Sequence, residues 1–289
     1  MRSITYSAPL YVIIADEGIP YGKPALGIAI EPKVEFTLNE GTENDFKKNK
    51  FIEEILDNTK QYLIKINKWN SRKFSYSYTI PLNESECSLS LLVAVVSATL
   101  ELFTEVQYSQ EDINKISYDI AKKMKMDMYG CETSTVTFGG LVYYRKEFEF
   151  LKGIYQLPFK IPAHIARCLS ILPINSSPKN FNFSKKTAHL LDLQEKYLKR
   201  FVISTIKEDS SFFNETVKEN LVNLLAMNVL SIEARKVQLK LKKNQISIVA
   251  ETLYHRNSLL LIYSQEISQL KIPNCIPFQP STLGVVKIH

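Results

Sequence analysis

The first 40 residues alternate between apolar and polar positions, which is the two-residue period of a β-strand. This alternation predicts strands at residues 4–6, 11–14, 25–30 and 34–36. Turns between these strands are marked by Pro9, Gly18, Pro20 and Gly22. The chain therefore begins with a set of strands rather than with a helix.

Helical spacing appears beyond residue 45. Residues 46–66 carry apolar side chains every three or four positions, and a nearly continuous apolar stretch follows at 88–103. Both patterns predict helices, and a short alternating stretch at 74–80 predicts a strand between them. Ser109 begins a Ser-Gln-Glu-Asp sequence that resembles a capping box, so a third helix is predicted from that point.

The second half of the chain mixes strands and helices without the regular rhythm of a parallel sheet. Predicted strands lie at residues 135–144, 169–174, 246–250, 259–263 and 283–288, and predicted helices lie at 186–206 and 213–237. This arrangement favours an α+β fold. A proline-containing stretch at 157–162 predicts a boundary between two domains, residues 1–156 and 157–289.

The composition is that of a folded protein without a membrane span. Of the 289 residues, 45% are hydrophobic and 23% are charged, which excludes a mainly disordered chain. The apolar stretch that ends at Phe103 contains Ser97, Thr99 and Glu101, and it is shorter than the ~20 apolar residues of a membrane span. The N-terminal residues lack the cleavage site of a signal peptide. We therefore expect a cytoplasmic protein with no membrane partner.

Glycine is scarce, and its scarcity bears on nucleotide binding. Nine glycines in 289 residues amount to about 3%, against a usual ~7%. Loops that wrap phosphate with backbone N–H groups rely on glycine, and the sequence contains neither GxGxxG nor GxxxxGK[ST]. The familiar glycine-rich nucleotide loops are therefore excluded. The four cysteines and four histidines are scattered without ligand spacing, so no metal site is expected.

The formal net charge of +6 is mild, and part of it lies in three short basic clusters at residues 47–50, 122–125 and 240–243. Such clusters are usually solvated faces; the alternative is a surface for nucleic acid or for an acidic partner. No stretch interleaves basic and aromatic residues, so the support for nucleic-acid binding is weak.

Several characteristic segments follow one another along nearly the whole chain. They are SAPLYVIIADE at residues 7–17, YGKPAL at 21–26, Ile-Pro-Leu at 80–82, GCETSTVTFGG at 130–140 and STLGVV at 281–286. These segments resemble motifs of the GHMP kinase superfamily, and those of mevalonate kinases most closely. YGKPAL and TVTFGG are fairly specific together, whereas each alone would be weak.

The resemblance implies a two-part α+β fold, with an N-terminal domain like a small-subunit ribosomal protein module and a ferredoxin-like C-terminal domain. In active members of the family, ATP and a substrate alcohol meet between the two parts. Matched position by position, Glu132 replaces the aspartate that is the presumed catalytic group, and Ser88 keeps one hydroxyl at the start of the apolar helix. Glu17 and Thr137 are the candidate substrate-binding residues.

Several departures from the family pattern argue against ATP binding. Tyr11 replaces the activating lysine, and the glycines of the phosphate loop align with non-glycine positions in residues 83–87. Glu84 and Glu86 would stand where the triphosphate lies, and like charges ~4 Å apart repel by ~4 kcal/mol at an effective dielectric of ~20. The alternative interpretation is structural, since acidic residues near the start of a helix stabilise its positive end.

The third glycine-rich motif of the family should fall at residues 250–257, which contain no glycine. His255 and Arg256 are candidate replacements for its phosphate contacts, but a surface turn is the ordinary interpretation. Glu132 keeps the charge of the family's aspartate but is longer by one methylene, and a displacement of about 1 Å matters for in-line transfer.

The leading hypothesis is a catalytically degenerate, mevalonate-kinase-like pseudokinase that binds a protein partner or a small ligand and needs no cofactor. One alternative is a divergent but active kinase for mevalonate or a related alcohol, which would use Mg-ATP with Glu17, Ser88 and Glu132. The other alternative is an RNA- or ribosome-associated binding protein, suggested by the shape of the implied N-terminal module and by the net charge.

Overall fold

The computed structural model describes residues 2–41, 49–146, 152–176, 185–242, 245–254, 257–267 and 272–288. These residues form both helices and strands, which confirms the α+β class. The strands are β1 (Ser3–Ile14), β2 (Pro24–Glu40), β3 (Phe74–Thr79), β4 (Leu141–Lys146), β5 (Lys152–Leu157), β6 (Leu169–Asn175), β7 (Ser247–Tyr254), β8 (Asn257–Tyr263), β9 (Ile276–Pro277) and β10 (Val286–Ile288). The helices are α1 (Lys50–Lys65), α2 (Glu84–Thr104), α3 (Gln110–Lys123), α4 (Cys131–Phe138), α5 (Ala163–Ala166), α6 (Lys185–Ile206), α7 (Ser210–Met227) and α8 (Ile232–Leu241), with a 3-10 helix at Asp16–Tyr21.

Two compact units are interleaved along the chain. Unit 1 comprises Met1–Tyr11, Glu31–Gly139 and Leu283–His289, and unit 2 comprises Val12–Ile30 and Gly140–Thr282. The long strands β1 and β2 therefore each contribute residues to both units. The consecutive domains expected from the sequence, 1–156 and 157–289, stay a prediction.

Unit 1 is built around the buried helix α2. Every residue from Glu86 to Phe103 is buried except Ser88, and the helix packs against α1, α3 and α4. By length and composition α2 could cross a membrane, but 89% of its apolar window is buried inside the protein. A helix that is apolar on all sides and enclosed in this way is typical of a protein core.

Antiparallel strand pairings also contribute to unit 1. β10 pairs with β1, with Val286 opposite Ser7, and β3 pairs with the second half of β2, with Thr79 opposite Glu35. The closing strand predicted at residues 283–288 is thus present but shorter, since it begins at Val286.

Side-chain caps fix where two of the helices in unit 1 begin. The Ser109 Oγ accepts the N–H of Asp112 at 3.1 Å, so α3 begins where the capping-box sequence predicts. Asn49 caps α1 in the same way, because its Oδ1 accepts the N–H groups of Phe51 (2.9 Å) and Ile52 (3.2 Å). The first residues of the helix predicted at 46–66 lie outside the described part of the chain.

The strand predicted at residues 135–144 is wrong in its first half. Residues Cys131–Phe138 form α4, and the strand begins only at Leu141. The run of Ser, Thr and Val predicted a strand, but hydroxyls in α4 bond back to the preceding turn: Ser134 Oγ to Gly130 O and Thr135 Oγ1 to Cys131 O, both at 2.7 Å. These bonds and the packing against α2 override the intrinsic β-propensity of the run.

Unit 2 contains a four-stranded antiparallel sheet in the order β7-β8-β6-β9. α7 and α8 pack against β7, α6 packs against α7, and buried aliphatic side chains such as Leu191, Leu224 and Ile248 fill the core.

The helical region predicted at 213–237 is interrupted, because Asn228 takes a left-handed conformation after α7 and Ser231 caps α8. In the same unit, β4 pairs with both the first half of β2 and β5, a strand that the sequence pattern did not predict.

A buried carboxylate, Glu101, connects three polar groups of unit 1. Its oxygens accept hydrogen bonds from Lys287 Nζ at 2.6 Å and Tyr6 OH at 2.7 Å, and Arg2 lies 3.4 Å away. Burial opposes ionisation of the carboxyl, but the hydrogen bonds from Lys287 and Tyr6 prevail and hold the pKa of Glu101 below its ordinary value. The cluster therefore fixes β10 and β1 against the core helix.

The C-terminal end of α4 touches the segment before β10 backbone to backbone. A Cβ placed on Gly284 would lie 1.9 Å from Thr137 O, and one on Gly139 would lie 2.2 Å from Gly284 N. The Val285 N–H donates to Thr137 O at 3.2 Å across the same contact. Both glycines are required here because there is no room for a side chain.

Gly284→Ala should lower the free energy of unfolding by about 3 kcal/mol, because its methyl group would collide with rigid backbone. Gly140→Ala is the control: Gly140, unlike Gly284, has a positive φ of +65°, but a Cβ there lies 3.9 Å from the nearest atom outside its neighbours. That control should cost only about 1 kcal/mol of conformational strain. Urea denaturation of both variants measures the difference, and equal losses would contradict the backbone contact.

Glu101→Gln should lower the free energy of unfolding at pH 7 by about 2 kcal/mol, since it leaves Lys287 without its counter-charge. Because the folded state depresses the pKa of Glu101, its contribution is complete above about pH 4.3 and declines as the pH falls through the folded value. The gap between wild type and variant should therefore shrink at pH 3. Glu105→Gln, at an exposed partner of Arg72, should cost much less than Glu101→Gln at pH 7. A difference between wild type and Glu101→Gln that stays constant with pH would refute the assignment.

Candidate functional site

Three of the four candidate residues lie in unit 1. Ser88 lies in the first turns of α2, and Glu132 and Thr137 lie on α4, which packs against α2. Glu17 belongs to unit 2, where it lies in the 3-10 helix Asp16–Tyr21.

The segment that the sequence resemblance predicts to match the family's phosphate loop is helical in this chain. The apolar helix predicted from residue 88 begins one turn earlier, at Glu84, so residues 84–87 form the first turn of α2. The N–H of Cys87 donates to the carbonyl of Asn83 at 3.2 Å, as in a regular helix start. A glycine-rich loop would expose its N–H groups to a ligand, whereas this turn begins to use them within the helix.

Both carboxylates of this turn are bound by neighbouring protein groups. Glu86 is buried, and its oxygens accept hydrogen bonds from Asn83 Nδ2 at 3.2 Å and from Ser85 Oγ at 2.7 Å. Glu84 is exposed and accepts from Asn49 Nδ2 at 2.9 Å. The two acidic side chains therefore satisfy the polar groups around the start of α2.

Asn49 is a residue that the sequence analysis did not select. Besides capping α1, its side-chain amide bonds Tyr78 OH at 2.9 Å, and its backbone N–H donates to Tyr76 OH at 3.0 Å. It thus links the starts of α1 and α2 to strand β3. An asparagine directly before a helical pattern is a signal for a cap, but nothing in the sequence indicated its contact with Glu84.

Ser88 keeps its hydroxyl inside the helix. Its Oγ donates to the carbonyl oxygen of Ser85 at 2.9 Å, and the side chain is half-buried. This is a local side-chain-to-backbone bond of the kind that Ser makes in many helices. Any ligand of Ser88 would have to compete with it.

Glu132 folds back onto the turn that precedes α4. Its Oε2 accepts the N–H groups of Gly130 at 2.9 Å and Tyr129 at 3.1 Å, and Gly130 adopts φ 101°, which brings the two N–H groups onto one oxygen. Burial raises the pKa of Glu132, with a further contribution from Asp127, while the backbone hydrogen bonds oppose the shift. The carboxylate is thus enclosed, and it occupies the anion-binding end of its own helix.

Thr137 contributes its backbone rather than its side chain to the surrounding contacts. Its carbonyl oxygen accepts from Gln110 Nε2 at 3.0 Å and from the N–H of Val285 at 3.2 Å. Its hydroxyl is fully buried and has no hydrogen-bond partner among the described residues. A substrate contact through this hydroxyl would need a structural opening.

Glu17 is paired within unit 2. Its Oε2 accepts from Gln194 Nε2 of α6 at 2.9 Å. Lys23, from the YGKPAL segment, pairs with Asp192 at 2.5 Å and Glu195 at 3.5 Å on the same helix. The hydrogen bond to Asp192 raises the pKa of Lys23, so this lysine stays charged and serves as a structural cation.

The remaining family positions are also part of the folded framework. Tyr11, at the position of the activating lysine, is a buried residue of β1. The described residues of the stretch expected to hold the third glycine motif belong to the paired strands β7 and β8, and the buried Glu251 of β7 accepts the N–H of Ser231 at 2.8 Å. His255 and Arg256 lie outside the described residues. No cluster of metal-ligating side chains is found among the residues that the structure describes.

The fold itself matches solved sugar and mevalonate kinases. A D-glycero-D-manno-heptose 1-phosphate kinase from Bacteroides thetaiotaomicron superposes with a TM-score of 0.72 at 12% identity, covering 99% of both chains. A mevalonate kinase gives 0.71 at 13% identity, covering 96% of this chain and 100% of the other. The Methanococcus jannaschii mevalonate kinase gives 0.67 at 13% identity, covering 93% and 92%.

The chain has the fold of the GHMP kinases. The order of the motif-like segments agrees with that fold over the full length. No protein-family model matches the sequence, and no curated protein matches it either. At 12–13% identity the GHMP fold is established by shape, and the activity of those enzymes does not transfer with it.

Neutralising the buried carboxylate of α4 should stabilise the protein at neutral pH. Because burial raises the pKa of Glu132, ionisation above the unfolded value of about 4.3 costs stability. Glu132→Gln removes that cost and should raise the free energy of unfolding at pH 7, by on the order of 1 kcal/mol. The gain should vanish below about pH 4, where the wild-type carboxyl is protonated.

Glu111→Gln, in the exposed first turn of α3, is the matched control, and its effect should not follow this pH dependence. Urea denaturation at pH 7 and pH 4 gives both comparisons. A loss of stability in Glu132→Gln at pH 7 would mean that the bonds from Tyr129 and Gly130 outweigh the burial of charge.

Proposed function

We propose that this GHMP-fold chain is a cytoplasmic pseudokinase that binds a partner, a protein or a small ligand, and transfers no phosphate. The observation that carries the proposal is the first turn of α2, which stands where the family has its phosphate loop. Glu86 is buried there and bonded to Asn83 and Ser85. A triphosphate at that position would meet the carboxylates of Glu84 and Glu86, and like charges ~4 Å apart repel by ~4 kcal/mol at an effective dielectric of ~20.

The contacts of the two candidate catalytic residues, Ser88 and Glu132, also support the proposal that no phosphate is transferred. Ser88 bonds Ser85, and Glu132 bonds the two N–H groups before α4. A general base must reach the hydroxyl proton that it removes, and an enclosed carboxylate held by backbone N–H groups is poorly placed to do so. The residues at these positions therefore do not fit Mg-ATP, and no catalytic step is assigned to them.

The best-matched family segments have structural uses inside this chain. Lys23 of YGKPAL pairs with α6, and Gly139 of TFGG packs against Gly284 of the closing segment. These contacts explain why such residues suit the fold without any reference to phosphate transfer. They support the proposal that the chain keeps the contacts of the fold while it no longer binds a nucleotide.

The divergent-kinase alternative has one observation in its favour. Glu132 is a buried carboxylate with a raised pKa, and perturbed carboxyl groups are frequent at catalytic sites. For RNA or ribosome binding, the net charge of +6 is the supporting feature. Both alternatives enter the following experiment as outcomes.

MgATP titration tests the proposal directly. The melting temperature of the chain should not change with millimolar MgATP, with or without mevalonate, whereas the Methanococcus jannaschii mevalonate kinase should be stabilised under the same conditions. Glu84→Gln/Glu86→Gln should gain nucleotide affinity if the two carboxylates are the barrier.

A saturable stabilisation of the wild-type chain by sub-millimolar MgATP would overturn the proposal. If that nucleotide were turned over and Glu132→Gln abolished the turnover, the divergent-kinase alternative would replace it. Retention on heparin that weakens steeply with salt would instead favour nucleic-acid binding.

A further inference from the structure

Helix α8 of unit 2 presents two large aliphatic side chains to solvent. Leu239 is 72% exposed and Ile232 is 57% exposed. They are seven residues apart, so they lie on one face of the helix, about 10 Å from each other along its axis. The opposite side of α8 carries the buried Ala234 and Gln238 and packs against β7.

Basic residues surround these two side chains. Residues 232–242 contain four cations (Arg235, Lys236, Lys240, Lys242) and one carboxylate (Glu233), which is a net charge of +3 out of +6 for the whole chain. Lys236 and Lys240 are exposed on the same face as Ile232 and Leu239, and neither forms an ion pair with a described residue. The charge of this helix is therefore uncompensated where its aliphatic side chains are exposed.

The preceding helix also exposes aliphatic side chains. Val222 and Leu225, on the outer side of α7, are 68% and 43% exposed. Arg235 Nη1 donates to Asn228 Oδ1 at 2.7 Å, which holds the start of α8 to the end of α7. Single exposed aliphatic residues are ordinary, but two successive helices with such pairs indicate a contact surface.

We infer that the α8 face, defined as Ile232, Lys236, Leu239 and Lys240, docks an acidic amphipathic helix of a partner protein. Two aliphatic residues at i and i+7 match the apolar stripe of a helix lying alongside, and glutamates flanking that stripe would meet Lys236 and Lys240. Charge complementarity of this kind sets the choice of partner and speeds the encounter. This inference rests on the proposed binding function and gives it a location.

Other occupants fit the α8 face less well. Two aliphatic side chains provide too little apolar area for stable binding to a lipid surface, which needs a second anchoring signal. Nucleic acid would use the lysines but would leave Ile232 and Leu239 exposed, since phosphate contacts need no aliphatic groups.

A designed peptide of about 20 residues tests the inference, with leucine at heptad positions a and d and glutamate at the flanking positions. It should bind the full chain in fluorescence anisotropy, and the affinity should fall as salt is raised from about 0.05 to about 0.5 M. Leu239→Ser and, separately, Lys236→Glu/Lys240→Glu should each weaken binding about tenfold or more. The same peptide with lysine in place of glutamate should not bind.

Lys115→Glu/Lys123→Glu provides a charge-matched control on the exposed side of α3 in unit 1, and it should change the affinity less than about twofold. Circular dichroism melting confirms that each variant is folded. The inference is overturned if the acidic peptide fails to bind, if the control weakens binding as much as the α8 variants, or if anionic vesicles or RNA bind more tightly through the same lysines. The MgATP titration is independent of these results, so a failed surface and a failed pseudokinase proposal are told apart.

Discussion

The backbone contact between Gly284 and the end of α4 is the constraint on which much of unit 1 depends. It brings the Thr137 carbonyl within reach of the Val285 N–H, and the next residue, Val286, pairs with Ser7 of β1. Glu101 then holds Lys287 of the same closing strand from the core helix. One close approach of two chain segments thus fixes the position of α4, the closing strand and the first strand together. The helix that carries Glu132 is held in place by packing, independently of any ligand.

The family-like segments of this chain have structural uses that do not depend on phosphate transfer. TFGG and STLG supply the two glycines of the backbone contact, and the lysine of YGKPAL binds two carboxylates of α6. Each of these residues satisfies a requirement of the fold that holds whether or not phosphate is transferred. Resemblance at such positions is therefore evidence for architecture, and evidence for chemistry must come from the reacting groups.

The parts of the fold that follow from local rules could be predicted from the sequence. Ser109 begins α3 through a short-range cap, and the strands predicted at 4–6, 11–14 and 74–80 are present in β1 and β3. The turn predicted at Pro9 is wrong, because β1 continues through that residue from Ser3 to Ile14. α4 could not be predicted in this way, because its β-branched residues are held in a helix by hydroxyl-to-carbonyl bonds and by packing against α2. For the candidate site, the sequence shows which residue type stands at each position. It does not show which groups bond the Glu86 carboxylate, or that the Thr137 hydroxyl is buried. Those depend on contacts between side chains that local pattern does not specify.

Several carboxylates of this chain lie at or next to the starts of helices. The start of a helix presents free N–H groups and a positive dipole, and this is where proteins commonly bind phosphate. In this chain Glu132 takes the N–H groups before α4, Glu251 takes the N–H of Ser231 at the start of α8, and Glu84 and Glu86 lie in the first turn of α2. Three helix starts are thus supplied with anions by the protein itself. Where such a carboxylate accepts backbone N–H groups, as Glu132 and Glu251 do, those N–H groups are not available to a ligand.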